Sequence, residues 1–385
     1  MSKTIYRYNG NVYTPTSGAV RTRNTASSTV ICLVAMVVVL AIVCISLNLT
    51  INRSSENNGA LSGMYNANSV YEPLNTGDPF GSDASGTVYE TSEIPSYKYP
   101  TVLTPYGDEK TVSLGSSITS EYAIVVDGNT GHVIAAKNST KRIYPASLTK
   151  VMSAIVAYEY MLNNDVDIMS TYLEISQAII DYTYREGASN AGFKKGEQVR
   201  MYDVFHGVIV PSGADATLML AEFCYGDEET FVEMMNNKAA ELDLADTHFV
   251  TSTGLHHKDH YTTASDLAVI LDYACQYDFI KYLMQQTSYK YPATNVSAER
   301  STTSTLYRWR TSYNSKLDKS AVAGAVQFGG KSGYTPEARC CLFTFASDNE
   351  GNEYIVVTCY ANSGKVTVSD YMSIYGRFCE LGSRS

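Results

Sequence analysis

Residues 121–161 read EYAIVVDGNTGHVIAAKNSTKRIYPASLTKVMSAIVAYEYM, and the local pattern changes within them. Tyr122 to Val126 and His132 to Ala136 are short β-rich runs. The Asp-Gly-Asn-Thr-Gly between them has the residues a tight turn demands, so the pair reads as a hairpin. From Ser147 to Met161 the apolar positions take up helical spacing instead. The same spacing returns at Ala214 to Phe223, Glu228 to Leu242 and Thr263 to Tyr277, while Ala325 to Lys331, Cys340 to Ala346 and Tyr354 to Tyr360 are β-rich again. SDNEGN makes the turn between the last two, and Thr367 to Cys379 closes the chain as a helix. Strands at both ends with helices between them predict an α+β domain over 119–385, with a mainly antiparallel sheet flanked by helices and an inserted helical lobe.

The residues before this domain read differently. Val30 to Leu49 is almost wholly apolar, and no charged residue stands between Arg23 and Arg53. Twenty helical residues cover about 30 Å, the thickness of a bilayer's hydrocarbon core. The run is longer than a signal-peptide core and no small-x-small cleavage site follows it, so 29–50 is expected to be an uncleaved transmembrane anchor. Lys3, Arg7, Arg21 and Arg23 precede it without any acidic residue, so 1–28 is expected to be a cytoplasmic tail, with the rest of the chain outside the cell membrane. Residues 51–118 are rich in Ser, Gly, Asn, Thr and Pro, lack a helical or strand period, and read as a disordered linker with a span of about 45 Å.

Charge and cysteine content narrow the partners. The net charge of −10, with no basic cluster, speaks against nucleic acid, whose phosphates need a basic face. Cys32 and Cys44 lie in the apolar run. Cys224, Cys275, Cys340, Cys341, Cys359 and Cys379 have neither zinc-finger nor redox spacing and are read as buried thiols in preference to disulfides. His256, His257, Asp259 and His260 crowd one predicted loop without a second ligand segment, so no metal is expected there. No cofactor is implied.

Three short motifs carry chemistry. In Pro-Ala-Ser147-Leu-Thr-Lys150, spacing of three on a helix brings hydroxyl and amine to one face. A serine hydroxyl needs a base to become a nucleophile, and a buried lysine can be that base when its neutral form is favoured. Val-Pro-Ser212-Gly-Ala-Asp-Ala puts a second hydroxyl on a rigid turn before a helix, where it could relay a proton. Gly-Gly-Lys331-Ser332-Gly333-Tyr334-Thr ends a strand with a cation suited to a carboxylate and a glycine that lets another backbone approach. Alone, each has an ordinary reading: a capped surface helix, an N-cap serine, a solvated lysine. Their order and their predicted contexts together are far more specific.

With these motifs in place, the chain resembles the low-molecular-mass penicillin-binding proteins, the serine D-Ala-D-Ala carboxypeptidases, over about Tyr122 to Phe378. The resemblance is carried by VVDGNTGHVIAAKN, RIYPASLTKVMSA, GASNAGFKKGEQVRMYDVFHGVIVPSGADA, MNNKAAELDLADTHFV, GLHHKDHYTTASDLA and GGKSGYTPEARCCL. It implies the serine β-lactamase/DD-peptidase fold. It further implies that Ser147 attacks the carbonyl between the two terminal D-alanines of a peptidoglycan stem peptide, with Lys150 as base and Ser212 as relay. Lys331 would shape the site, the N–H groups of Ser147 and Tyr334 would form the oxyanion hole, and Ser332 would hold the terminal carboxylate. β-Lactam antibiotics would acylate the same serine.

The chain departs from the family pattern at Ala214, where an Asn is common. No arginine clearly fills the family's further carboxylate-binding position; Lys365 and Arg339 are the nearest candidates. Two rival readings share the motifs. A β-lactamase is disfavoured because no Glu-x-x-Leu-Asn segment is present. A wall sensor that has lost turnover with Ala214 would need an output domain, which 28 residues do not provide.

Overall fold

The computed structural model describes residues 100–312 and 324–381. The cytoplasmic tail, the anchor at 29–50 and most of the linker expected from the sequence lie outside these residues. Among the described residues no helix is long and apolar enough to cross a membrane.

In chain order the elements are β1 (Val112–Ser113), β2 (Tyr122–Asp127), β3 (Val133–Lys137), one tight turn (Ala146–Leu148) leading into α1 (Thr149–Asn163), β4 (Tyr172–Glu174), α2 (Gln177–Arg185), β5 (Gln198–Arg200), α3 (Met201–Ile209), α4 (Ala214–Tyr225) and α5 (Glu228–Glu241). There follow α6 (Ala264–Cys275), α7 (Asp278–Gln285), β6 (Ser288–Tyr291), β7 (Arg300–Thr303), α8 (Thr305–Ser312), β8 (Gln327–Thr335), β9 (Arg339–Ser347), β10 (Glu353–Ala361) and α9 (Gly364–Phe378). The main sheet has the order β1-β3-β2-β10-β9-β8. All its pairings are antiparallel except that of β1 with β3.

The strands alternate between two cores. Ala123 and Val125 of β2, Leu342 and Ala346 of β9 and Val356 of β10 face Val368, Tyr371 and Tyr375 of α9. Their neighbours Ile124, Val126, Phe343, Phe345, Ile355 and Val357 face the helical lobe. Burial on both faces makes these strands apolar at nearly every position, so they appear in the sequence as continuous runs. In the lobe α1 is surrounded by α3, α4, α5 and α6 and keeps little solvent-facing surface. The lobe is inserted between β3 and β8, as the order of sequence patterns implied.

The start of the ordered domain is a correction. Residues 100–118, assigned to the disordered linker, lie along the edge of the sheet. Thr101 exchanges hydrogen bonds with Gln276, Leu114 N donates to Ala136 O at 2.9 Å, and Ile118 is fully buried. Two apolar anchors four residues apart among Ser, Thr and Gly give no strand or helix period, which is why composition alone assigned them to the linker. The pairs β4–β5 and β6–β7, and α2, α7 and α8, were likewise not anticipated, each being short and half exposed; nor was α3, which is also short but buried on nearly every face.

A buried carboxylate joins the residues directly after this segment to the last helix. Asp370 of α9 accepts from Thr119 N at 3.0 Å, Ser120 N at 2.6 Å and Ser120 Oγ at 2.7 Å. Asp370→Ala strands three donors, two of them on a buried serine. The expected loss is about 3 kcal/mol of unfolding free energy, measurable by urea denaturation of the 100–385 fragment.

Candidate active site

The approach to α1 is pinned on both sides. Ile143 and Thr262 exchange backbone hydrogen bonds at 2.7 and 2.9 Å, and Tyr144 N donates to the Tyr360 hydroxyl at 2.9 Å. Ala146 then takes a left-handed φ of +50° and turns the chain into the helix, with Ser147 half-buried in the entry turn. One turn on, Lys150 is 2% exposed. Its Nζ lies 3.2 Å from Ser147 Oγ and donates to Thr253 O at 2.6 Å. Burial disfavours the ammonium and lowers its pKa to about 7, against the opposing pull of the Asp215 and Glu228 carboxylates. Ser147 and Lys150 are therefore close enough to exchange a proton, and the amine is poised to take one at neutral pH.

The second wall is the turn between α3 and α4. Ser212 has a φ of +67°, and the α4 N-cap is Gly213 with no side-chain cap bond. The serine is thus free of the N-cap duty its position suggested. Its hydroxyl instead accepts from Lys331 Nζ at 2.8 Å. The turn is clamped from behind: Asp215 accepts from the N–H groups of Ala191 at 2.8 Å and Gly192 at 3.2 Å, and Ala214 N donates to Ser189 O at 2.7 Å. Asp215 sits inside the motif that the sequence singled out, yet its role is only visible once residues 189–193 are folded against it.

The third wall is β8, an edge of the sheet. Lys331 is 1% exposed and also donates to Ser332 O at 2.8 Å, so it is not the solvated lysine of an ordinary turn. Burial, and behind it the positive charges of Lys150 and Arg308, push its pKa well below the usual lysine range. Each of the two lysines therefore disfavours the proton on the other. Gly333 brings this strand onto the nucleophile, since a Cβ there would stand 2.9 Å from Ser147 N. Ser332 Oγ lies 2.6 Å from the hydroxyl of Thr305, at the start of α8, and Thr305 N is tied to Val210 O at 3.2 Å. Tyr334 follows with its side chain exposed at the rim.

The fourth wall, Val250 to Gly254, has no motif of its own. His260 Nδ1 accepts from the N–H groups of Val250 and Thr251 at 3.1 and 3.3 Å, which leaves Nε2–H to face Thr149 Oγ1 at 2.8 Å. Burial lowers the pKa of this histidine to about 3, so it works as a neutral brace between loop and helix. Gly254 has a φ of +77°, and a Cβ there would meet Ala146 O at 2.0 Å.

The structure thus brings Ser147, Lys150, Ser212, Lys331, Ser332 and Gly333 together, with Tyr334 at the rim. Thr253, Thr305, Asp215 and Glu228 were not nominated from the sequence. Of the candidates for a further carboxylate-binding residue, Arg339 is paired with Glu121 at 2.5 Å and donates to Asn362, and Lys365 is exposed in the first turn of α9. The arginine whose charge reaches Lys331 is Arg308, exposed on α8. Among the described residues no group of three His, Cys, Asp or Glu side chains could hold a metal, and all six cysteines are free.

The fold is that of solved DD-peptidases and penicillin-binding proteins. The Streptomyces K15 DD-transpeptidase superposes with a TM-score of 0.58 at 25% identity, covering 67% of this chain and 97% of its own. Penicillin binding protein 5 of Haemophilus influenzae gives 0.57 at 25% identity, covering 67% of this chain and 71% of its own. The chain belongs to the D-alanyl-D-alanine carboxypeptidase family, which matches residues 108–363. It is 31% identical over 241 residues to the D-alanyl-D-alanine carboxypeptidase DacF of Bacillus subtilis, and the match spans 63% of this chain and 57% of that relative. The match to DacD of Escherichia coli is 36% identical over 150 residues and spans 38% of each.

Because Gly254 packs onto the carbonyl before the nucleophile in a backbone conformation hostile to side chains, Gly254→Ala should displace the α1 entry turn. We expect a loss of at least about 2 kcal/mol in stability and weaker covalent labelling of Ser147 by a fluorescent penicillin, read by denaturation and by gel fluorescence.

Proposed function

We propose that this chain is a serine D-Ala-D-Ala carboxypeptidase acting on peptidoglycan stem peptides. The observation that carries the reading is the buried Lys150 amine, 3.2 Å from Ser147 Oγ and held near neutrality. Family membership and the Lys331–Ser212 contact support it.

A stem peptide would lie along the edge of β8 with its terminal carboxylate at the Ser332 and Thr305 hydroxyls. That negative charge favours the proton on Lys331, and a charged Lys331 in turn favours a neutral Lys150. Ser147 Oγ attacks the carbonyl carbon of the penultimate D-alanine and passes its proton to Lys150. The oxyanion is received by the N–H groups of Ser147 and Tyr334, an arrangement typically worth about 3 kcal/mol of barrier. As the C–N bond breaks, the proton reaches the leaving amine through the Ser212 hydroxyl, and D-alanine departs. Water, deprotonated by Lys150, then attacks the ester and restores Ser147. A β-lactam would enter the same path and stop at the ester. Ala214 leaves this path intact but offers no side-chain amide to the substrate, so binding would lean on β8 and on the hydroxyls.

The apolar run at 29–50, with its preceding basic residues, supports a single-pass anchor in the cytoplasmic membrane, with the enzyme facing the wall. The wall is where stem peptides occur.

Incubating the chain with a peptide ending in D-Ala-D-Ala should release D-alanine, and Ser147→Ala should release none. The rate should fall about tenfold per pH unit below about pH 7, as Lys150 takes up its proton and loses the capacity to accept another. Penicillin labelling without D-alanine release would instead favour a binding module that has lost turnover.

A further inference from the structure

Lys150 is an amine with little to hold it: apart from Ser147, its one hydrogen-bond partner among the described residues is the carbonyl of Thr253. The position of that carbonyl must therefore be fixed by something else. The preceding residue, Ser252, is fully buried and engaged at every polar atom. Its N–H and hydroxyl both donate to Glu228 Oε1, at 2.8 and 2.7 Å. Its carbonyl accepts from Ser153 Oγ of α1 at 2.6 Å, one turn beyond Lys150. Glu228 is the first residue of α5, and that helix start is itself fixed by Asp227, which accepts from Thr230 N at 2.7 Å.

We propose that Glu228 is a positioning residue for the general base: by gripping Ser252 with one carboxylate oxygen, it presents the Thr253 carbonyl to the Lys150 amine. The inference rests on the reading of Lys150 as the base. Glu228 does not touch Ser147 or the substrate groove; it acts through the peptide between Ser252 and Thr253. A carboxylate suits the task because it accepts two hydrogen bonds at one oxygen, and the first turn of a helix favours a negative charge. Its charge also reaches the amine. The charged or titratable groups whose fields Lys150 shares are the carboxylates of Asp215 and Glu228, the ammonium of Lys331 and the neutral imidazole of His260. Tyr182 of α2 shares the field of Glu228. Both carboxylates hold the amine's affinity for protons up, against burial. Removing the charge at residue 228 should thus lower the pH at which Lys150 becomes neutral.

Two substitutions separate grip from charge. Glu228→Gln keeps an oxygen acceptor for Ser252 and loses the charge, whereas Glu228→Ala loses both. In the full-length chain labelled with 13C-lysine, and with Lys150 assigned by its absence in Lys150→Arg, the Cε titration midpoint of Lys150 should fall by about half a pH unit in the Gln variant. The acid limb of penicillin acylation should move down with it. The Ala variant should acylate about tenfold more slowly at its own pH optimum while remaining folded at the assay temperature, the loss expected when buried donors lose their partner. The proposal is overturned if the Ala variant acylates as fast as the parent, or if the Gln and Ala variants share one Lys150 midpoint, since only the grip distinguishes them. Should the parent take no β-lactam at all, the enzymatic reading falls, and comparing the Lys150 midpoints of the Gln and Ala variants still decides the clamp.

Discussion

A lysine amine buried without a carboxylate in direct contact is the constraint around which this domain is organised. Taking an ammonium out of water is costly, and Lys150 lowers that cost by approaching neutrality rather than by forming an ion pair. Everything around it serves that compromise. The Thr253 carbonyl gives it one hydrogen bond, the Ser147 hydroxyl lies in reach, and Asp215 and Glu228 act from a distance. A carboxylate in contact would have kept the amine charged and useless as a base. Lys331 faces the same problem next door, and the repulsion between the two couples their protons.

The fold makes this possible by meeting at one place from four directions. α1 enters from the β2–β3 hairpin, the Ser212 turn and the Val250 to Gly254 loop come from within the helical lobe, and β8 closes the far edge of the sheet. Close packing of backbone on backbone at Gly254 and Gly333 lets these elements approach within a few ångströms of Ser147, a distance that side chains would prevent. The left-handed residues Ala146 and Ser212 store conformational strain beside the reactive hydroxyls, held by the bonds of Tyr144, Ser189 and Asp215.

Much of this was legible in the chain alone. The hairpin at 122–136, the helices beginning near 147, 214, 228 and 263 and the three late strands follow from periodicity, because each buries a regular stripe or a whole apolar run. The Ser147, Ser212 and Lys331 motifs were visible because their chemistry needs particular side chains at fixed local spacing. The ordered segment 100–118 was not, since it is held by two isolated apolar residues and by backbone bonds to the sheet edge. Arg339 could not be placed from the sequence either: a charge has no sequence signal for which way it points, and Glu121 claims this one.

The sequence by itself determined the long regular elements, their order, and the identity of the reacting side chains, because these depend on local propensity and on residues within four positions of one another. Only the tertiary structure decided that the amine rests on the Thr253 carbonyl, that Thr305 meets Ser332 and that Glu228 grips Ser252. Those contacts join segments 24 to 103 residues apart. They are made in part by backbone atoms, which every residue carries alike, so no spacing of side chains could announce them.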